Sequence, residues 1–278
     1  MRGWIYIGCL LIAWLAANGD RPAWAADASQ RVAGAPYVRP LADRLRELAE
    51  LPAQLGADRY AALLRAINDR SSYTTLAPEE EHLFVNDMLN CLERDEGRVD
   101  ELAVELVRLA RDSKRHPVLR EYAIQHLSVI YPRCTQRQRI EETLWWAVGA
   151  DLGAGTGTAL IALARIPPSA RTLSSEALAQ AAARLARDPA RDRSLRAAAV
   201  RVCGTLRDTN ALGLVRKVAA DPTAGVMLRV SALNSLGRLG DRSDAALLQQ
   251  VLRDGGVYRP AAQEGLRLLS DRLSETNQ

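Results

Sequence analysis

The sequence predicts an all-α fold, an α-α superhelix of stacked helical hairpins, on three observations. The first is an internal repeat. Residues 99–127, 176–203, 210–236 and 243–266 align as an apolar-periodic stretch ending at an Asp, a short polar link, and a second stretch opening on an Arg. The Asp residues are Asp112, Asp188, Asp221 and Asp254; the Arg residues are Arg120, Arg196, Arg229 and Arg259. The step between them is eight residues in the first three units and five in the last. Three positions after each Arg stands Ala123, Ala199, Ala232 or Ala262, and seven after it Leu127, Cys203, Leu236 or Leu266. A period of roughly 30–40 residues signals a solenoid, in which no unit buries its apolar face alone. The second observation is composition. Ala, Leu, Arg and Glu dominate, all strong helix formers, and Val and Ile never alternate with polar residues long enough for a strand. The third is punctuation, because Pro and Gly recur between the apolar-periodic stretches.

Each helix follows from that punctuation. Residues 40–50 and 56–69 are separated by Pro52, and the run Ser71–Thr75 ends the second. Helix 79–94 opens after Pro78 with Glu79–Glu81 in its first turn, where acidic groups suit the helix dipole. Gly97, Pro117 and Pro132 bound helices 99–112 and 118–131. Helix 136–149 ends before the glycines at 153–157, and helix 156–166 before Pro167 and Pro168. Pro189 and Pro222 separate 173–187 from 193–207 and 210–220 from 226–238; Gly255 and Gly256 separate 242–253 from 257–272. With Asp151 as the terminal Asp of 136–149, the middle of the chain joins the repeat. Thr156 then takes the Arg slot, Ala159 the Ala slot and Leu163 the Leu slot.

The stretches LRAAAVRVCGTLRD and MLRVSALNSLGRLGD, with their equivalents, resemble the HEAT-repeat family in its short bacterial form, also found in phycobilin-lyase relatives. The resemblance covers about residues 99–272. It implies a curved stack whose second helices line the concave face, where partners usually dock. Residues 38–98 have the same helical texture in a degenerate pattern and read as N-terminal units and cap; 273–278 read as a tail.

The start of the chain reads as a targeting segment. A short basic MRGW precedes 13 apolar residues, then Ala23-Trp24-Ala25, an A-x-A signature. Thirteen residues rise about 20 Å as a helix, short of a ~30 Å hydrocarbon core. The expectation is a signal cleaved after Ala25 and a periplasmic or secreted protein, with residues 26–37 a flexible lead-in; an uncleaved anchor is the alternative, made awkward by Asp20 and Arg21. No other segment is apolar enough to span a membrane. Loss of Arg2, Asp20 and Arg21 lowers the net charge from +4 to +3, weakly basic for a chain with 35 Arg and 2 Lys. That argues against a dedicated nucleic-acid binder.

Chemical motifs are few. DLGAGTGTALIALA, residues 151–164, resembles the glycine-rich motif of S-adenosylmethionine-dependent methyltransferases, but helical spacing precedes it and no strand follows. Glycines also serve a helix-helix turn. His82, His116 and His126 lack partners at metal-ligand spacing. Neither a cofactor nor a catalytic set is expected. Cys91 and Cys134 are the one sensible disulfide pair that export would permit, and Cys203 stands in a core slot.

Two repeated polar sets remain. The Asp and Arg of each unit read as a structural ladder, Asp capping a link or helix and Arg bonding it or a neighbouring carbonyl. Counting back from each Asp, position −4 is Arg108, Arg184, Lys217 or Gln250 and position −1 is Arg111, Arg187, Ala220 or Arg253. Three apart, they share a face and align as a cationic stripe, either simply solvated or a docking surface for an acidic protein partner or anionic polymer. Trp146, at position −5 of the unit ending at Asp151, reads as an anchor. The expected function is a non-enzymatic protein-interaction scaffold; the alternatives are an enzyme or enzyme accessory of lyase-like HEAT type, or a membrane-tethered assembly factor.

Overall fold

The computed structural model describes residues 40–69 and 76–275. The expected targeting segment, cleavage site and lead-in lie outside the described residues. Thirteen α-helices follow in order: α1 Leu41–Ala49, α2 Ala57–Asn68, α3 Pro78–Glu93, α4 Val99–Arg111, α5 Pro117–Ile130, α6 Arg137–Gly149, α7 Ala154–Arg165, α8 Ser175–Arg187, α9 Arg193–Thr205, α10 Leu212–Ala220, α11 Val226–Leu239, α12 Ala245–Asp254 and α13 Arg259–Glu275. No strand occurs among the described residues. The fold is an all-α helical solenoid. Helices pair as α4 with α5, α6 with α7, α8 with α9, α10 with α11 and α12 with α13.

Three helices start later than the periodicity predicts. Short 3-10 turns, Thr209–Ala211, Arg242–Asp244 and Gly256–Tyr258, precede α10, α12 and α13. In the first two, an Asp side chain takes the backbone N–H two residues on, Asp208 from Asn210 at 3.1 Å and Asp241 from Ser243 at 2.8 Å. That local bond tightens the chain before the α-helix can begin. At its other end α13 runs on to Glu275, past the expected boundary at 272.

The repeat slots form the core. Ala123, Ala159, Ala199, Ala232 and Ala262 are fully buried, as are Leu127, Leu163, Cys203 and Leu236, while Leu266 is half-buried. Second helices α3, α5, α7, α9, α11 and α13 pack directly on one another in sequence, whereas first helices from α6 onward at most graze their neighbours. Small residues permit the close row. A methyl carbon added at Gly237 would lie 2.3 Å from the Gly265 carbonyl oxygen, and one at Gly204 would lie 2.5 Å from Ser235 Oγ. The second helices thus form a closely packed row, here the inner row, and the first helices a looser outer one.

The glycine-rich segment opens as a helix-helix turn at 151–153 and continues into the first turn of α7, which contains Gly155 and Gly157. α6 precedes it, Asp151 and Gly153 have φ of 52° and 58°, and α7 starts at Ala154. The positive φ values are what a reversal between packed helices needs. A strand, which the cofactor motif requires, is not there.

Candidate docking face

The ladder residues tie each first helix to its second. Arg120 Nε donates to the Ala110 carbonyl at 3.0 Å, Arg196 Nε to Ala186 at 3.2 Å and Arg229 Nε to Ala219 at 3.0 Å. Each acceptor is two residues before the terminal Asp, among the last carbonyls that a helix leaves without an intrahelical donor. The Asp side chains shape the link itself, accepting from the N–H two residues on: Lys114 to Asp112 at 3.0 Å, Ala190 to Asp188 at 3.0 Å and Thr223 to Asp221 at 2.8 Å. Those bonds hold the Asp221 carboxyl below its usual range, the Thr223 hydroxyl contributing most.

Two units depart from this pattern. Thr156, in the Arg slot, donates Oγ1 to the Ala147 carbonyl at 3.0 Å and accepts from Leu152 N–H at 2.9 Å. A buried hydroxyl thus replaces a guanidinium. Asp151, ending that unit, pairs with Arg191 of the next link, which also holds Asp188 at 3.1 Å. In the last unit Asp254 accepts from Gln250 at 2.6 Å and Arg259 is exposed, with no bond to its first helix. Its link is three residues shorter and turns through Gly255 and Gly256, both at positive φ.

The expected stripe lies on the first-helix row, and all six cations are exposed. Four are already engaged. Arg108 pairs with Glu105, its Nε at 3.0 Å from Oε2, and also reaches Asn68. Arg111 lies 5.4 Å from the Trp146 ring centroid. Arg187 Nη2 donates to the Asn210 carbonyl at 3.0 Å, and Arg253 Nη2 to Gln250 at 2.7 Å. Arg184 and Lys217 make no side-chain hydrogen bond or ion pair among the described residues. Trp146 is half-buried, with Arg120 as well as Arg111 against its ring, at 5.8 Å. Both guanidiniums lie within the ~6 Å reach of a cation-π attraction, so the expected anchor already rests on arginines of its own chain.

Arg184 and Arg187 edge a groove of about 370 Å³ between α8 and the segment leading into α10. Its lining includes Ala179 and Ala183 together with the acids Glu176 and Asp208. Small apolar side chains beside exposed guanidiniums can seat an acidic chain segment.

Cysteines and histidines are otherwise occupied. The three cysteines among the described residues, Cys91, Cys134 and Cys203, are free and buried. The expected Cys91–Cys134 pair is not bridged: Cys91 Sγ meets the Leu48 carbonyl at 3.3 Å, while Cys134 Sγ donates to Asp100 Oδ1 at 2.8 Å. They bind different parts of the fold, so no bond can join them as folded. Burial pushes the Cys134 thiol up to about 11 and Cys203 to about 12. His126 is buried, with Nδ1 2.7 Å from Glu93 Oε2 and Nε2 3.3 Å from Asn86 Oδ1. His82 and His116 stack with centroids 4.4 Å apart. Among the described residues, no three His, Cys, Asp or Glu side chains are placed to hold a metal.

No protein-family model matches the chain. No curated protein matches it either. Among solved structures it is similar to human deoxyhypusine hydroxylase, determined with glycerol, at 18% identity and a TM-score of 0.39, covering 88% of this chain and 95% of that one. The expectation of a non-enzymatic scaffold is corrected by this finding. It rested on architecture alone, and a stack of helical pairs by itself does not decide between binding and catalysis. At this identity and score the likeness assigns no reaction and no residue.

Reading from the first helices also missed a second charged set. Arg165, Arg201 and Arg238 stand on three successive second helices, and only their placement on the inner row brings them together.

Proposed function

We propose that this chain is an exported helical-repeat protein that docks an acidic protein partner on its first-helix row, as an accessory to an enzymatic process. The observation that carries the reading is Arg184. It is exposed, has no hydrogen-bond or ion-pair partner among the described residues, and edges with Arg187 the groove beside α8. Long-range attraction to a free guanidinium speeds encounter, and the small side chains of Ala179 and Ala183 leave room for a bound segment. Export rests on the apolar start and the A-x-A site at Ala23–Ala25. Membership of the HEAT family belongs to the same proposal and rests on the repeat slots, Arg then Ala then Leu.

The test is quantitative capture from periplasmic extract on immobilised wild-type protein and on the double variant Arg184→Glu, Arg187→Glu. The reading expects one stoichiometric acidic species, released by salt, and lost from the variant while its circular dichroism is unchanged. Equal capture by both proteins overturns the docking face. Turnover by the purified chain alone makes it the enzyme and not an accessory.

A further inference from the structure

The inner row carries an unpaired cationic cluster. Arg165 stands on α7, Arg201 on α9 and Arg238 on α11, and these three second helices pack directly on one another. Arg165 and Arg238 lie nine residues after Thr156 and Arg229, and Arg201 five after Arg196. Positions five and nine share a helix face and oppose the buried positions three and seven. All three side chains are exposed and make no hydrogen bond or ion pair among the described residues. The helices are held close where they cross: Gly157 sits against Ala198 and Gly204 against Ser235, leaving no space for larger side chains.

The arginines feel one another. Partial burial, then the like charges of Arg165 and Arg238, push the Arg201 guanidinium below its usual pKa. It remains charged at neutral pH, so the repulsion persists. On the C-terminal side Glu264 pairs with Arg267 at 2.7 Å and reaches Arg238 only through space, as the weakest of the influences on its carboxyl. A further unmet group stands within the cluster. Asn234, in the α11 slot that Arg201 fills on α9 and one turn before Arg238, has a buried Oδ1 with no hydrogen-bond partner. A half-turn of that amide exchanges the acceptor for an NH2 with two donors.

We infer that Arg165, Arg201 and Arg238, with the Asn234 amide, form a binding site for a phosphate group on the inner face of α7, α9 and α11. Guanidinium forks match the oxygens of phosphate, and a group with more than one negative charge relieves a repulsion that the free protein sustains. The site is on the opposite row from Arg184 and Arg187 and does not depend on the docking proposal. Free phosphate compounds and phospholipid headgroups share this chemistry.

The experiment is calorimetric titration with pyrophosphate, and flotation with vesicles containing phosphatidic acid, both at constant ionic strength. Saturable one-to-one binding of pyrophosphate, or vesicle binding without it, is expected and separates the two sources. Arg201→Gln and Arg238→Gln should each weaken binding by about 10-fold or more, as for a lost hydrogen bond to a charged group. Arg184→Glu with Arg187→Glu should leave it unchanged. The free Arg201→Gln protein should melt no lower than wild type, since a like charge has been removed, which keeps lost binding distinct from unfolding. Absence of binding in both arms overturns the proposal, as does equal binding by the variants.

Discussion

Arg196 donates its Nε to the Ala186 carbonyl at 3.2 Å, joining the start of α9 to the end of α8 across a link that Asp188 shapes. The same bond recurs at Arg120 and Arg229. It satisfies a helix-end carbonyl and fixes the angle between paired helices. Arg196→Ala should therefore cost about 1–3 kcal/mol, the range for a hydrogen bond to a charged group. Urea unfolding measures it; an unchanged midpoint would show that water replaces the guanidinium at no cost. Arg259→Ala, where the bond is absent, is the internal control and should change little.

Glycine substitutions should split by row. Gly237→Ala places a carbon 2.3 Å from the Gly265 carbonyl oxygen, a backbone atom that cannot rotate away. Separating α11 from α13 should cost roughly 1–3 kcal/mol or more. Gly213→Ala meets nothing within 4 Å inside α10 and should stabilise by about 0.4–1 kcal/mol. Thermal melts with the same sign for both variants would contradict the close inner row. Ala232→Leu, at a fully buried slot, should likewise lower the melting temperature by overpacking.

Acid stability should depend on Asp100. Hydrogen bonds from the Cys134 thiol, then the Thr135 hydroxyl and backbone N–H, lower its pKa from 3.8 to about 2. A carboxylate with a depressed folded pKa stabilises above its unfolded value and loses that contribution as pH falls through the folded one. Wild type should lose more stability than Asp100→Asn between about pH 4 and pH 2, and the two curves should run parallel above pH 5. Melting temperatures across that range decide it; parallel curves throughout would place the bond outside the folded ensemble.

Thiol chemistry should follow burial. With Cys134 near 11 and Cys203 near 12, and burial raising Cys91 as well, thiolate formation is suppressed at pH 8. Alkylation of the native protein should label no cysteine, and alkylation in urea should label all three. A molecule that takes only one label in urea would carry a disulfide.

Export should leave Ala26 as the first residue, read by mass spectrometry of the mature protein. An intact Met1 on a membrane-bound species would instead favour the uncleaved anchor.

The sequence by itself determined the helices and their pairing. Apolar period, Ala at the third slot and Leu at the seventh are properties of a single unit, and they place Ala199 and Cys203 in the core without a structure. The carbonyl ladder was legible for the same reason, since Arg196 and Ala186 lie within one hairpin. Tertiary structure decided what depends on neighbouring units. Trp146 looked free because its cover, Arg111 and Arg120, comes from the preceding unit. Cys91 and Cys134 looked like a pair because nothing local shows that Leu48 and Asp100 claim them. Arg165 and Arg238 stand at offset nine and Arg201 at offset five, so no single alignment column gathers all three; stacking does, because positions five and nine of adjacent second helices share one face of the inner row.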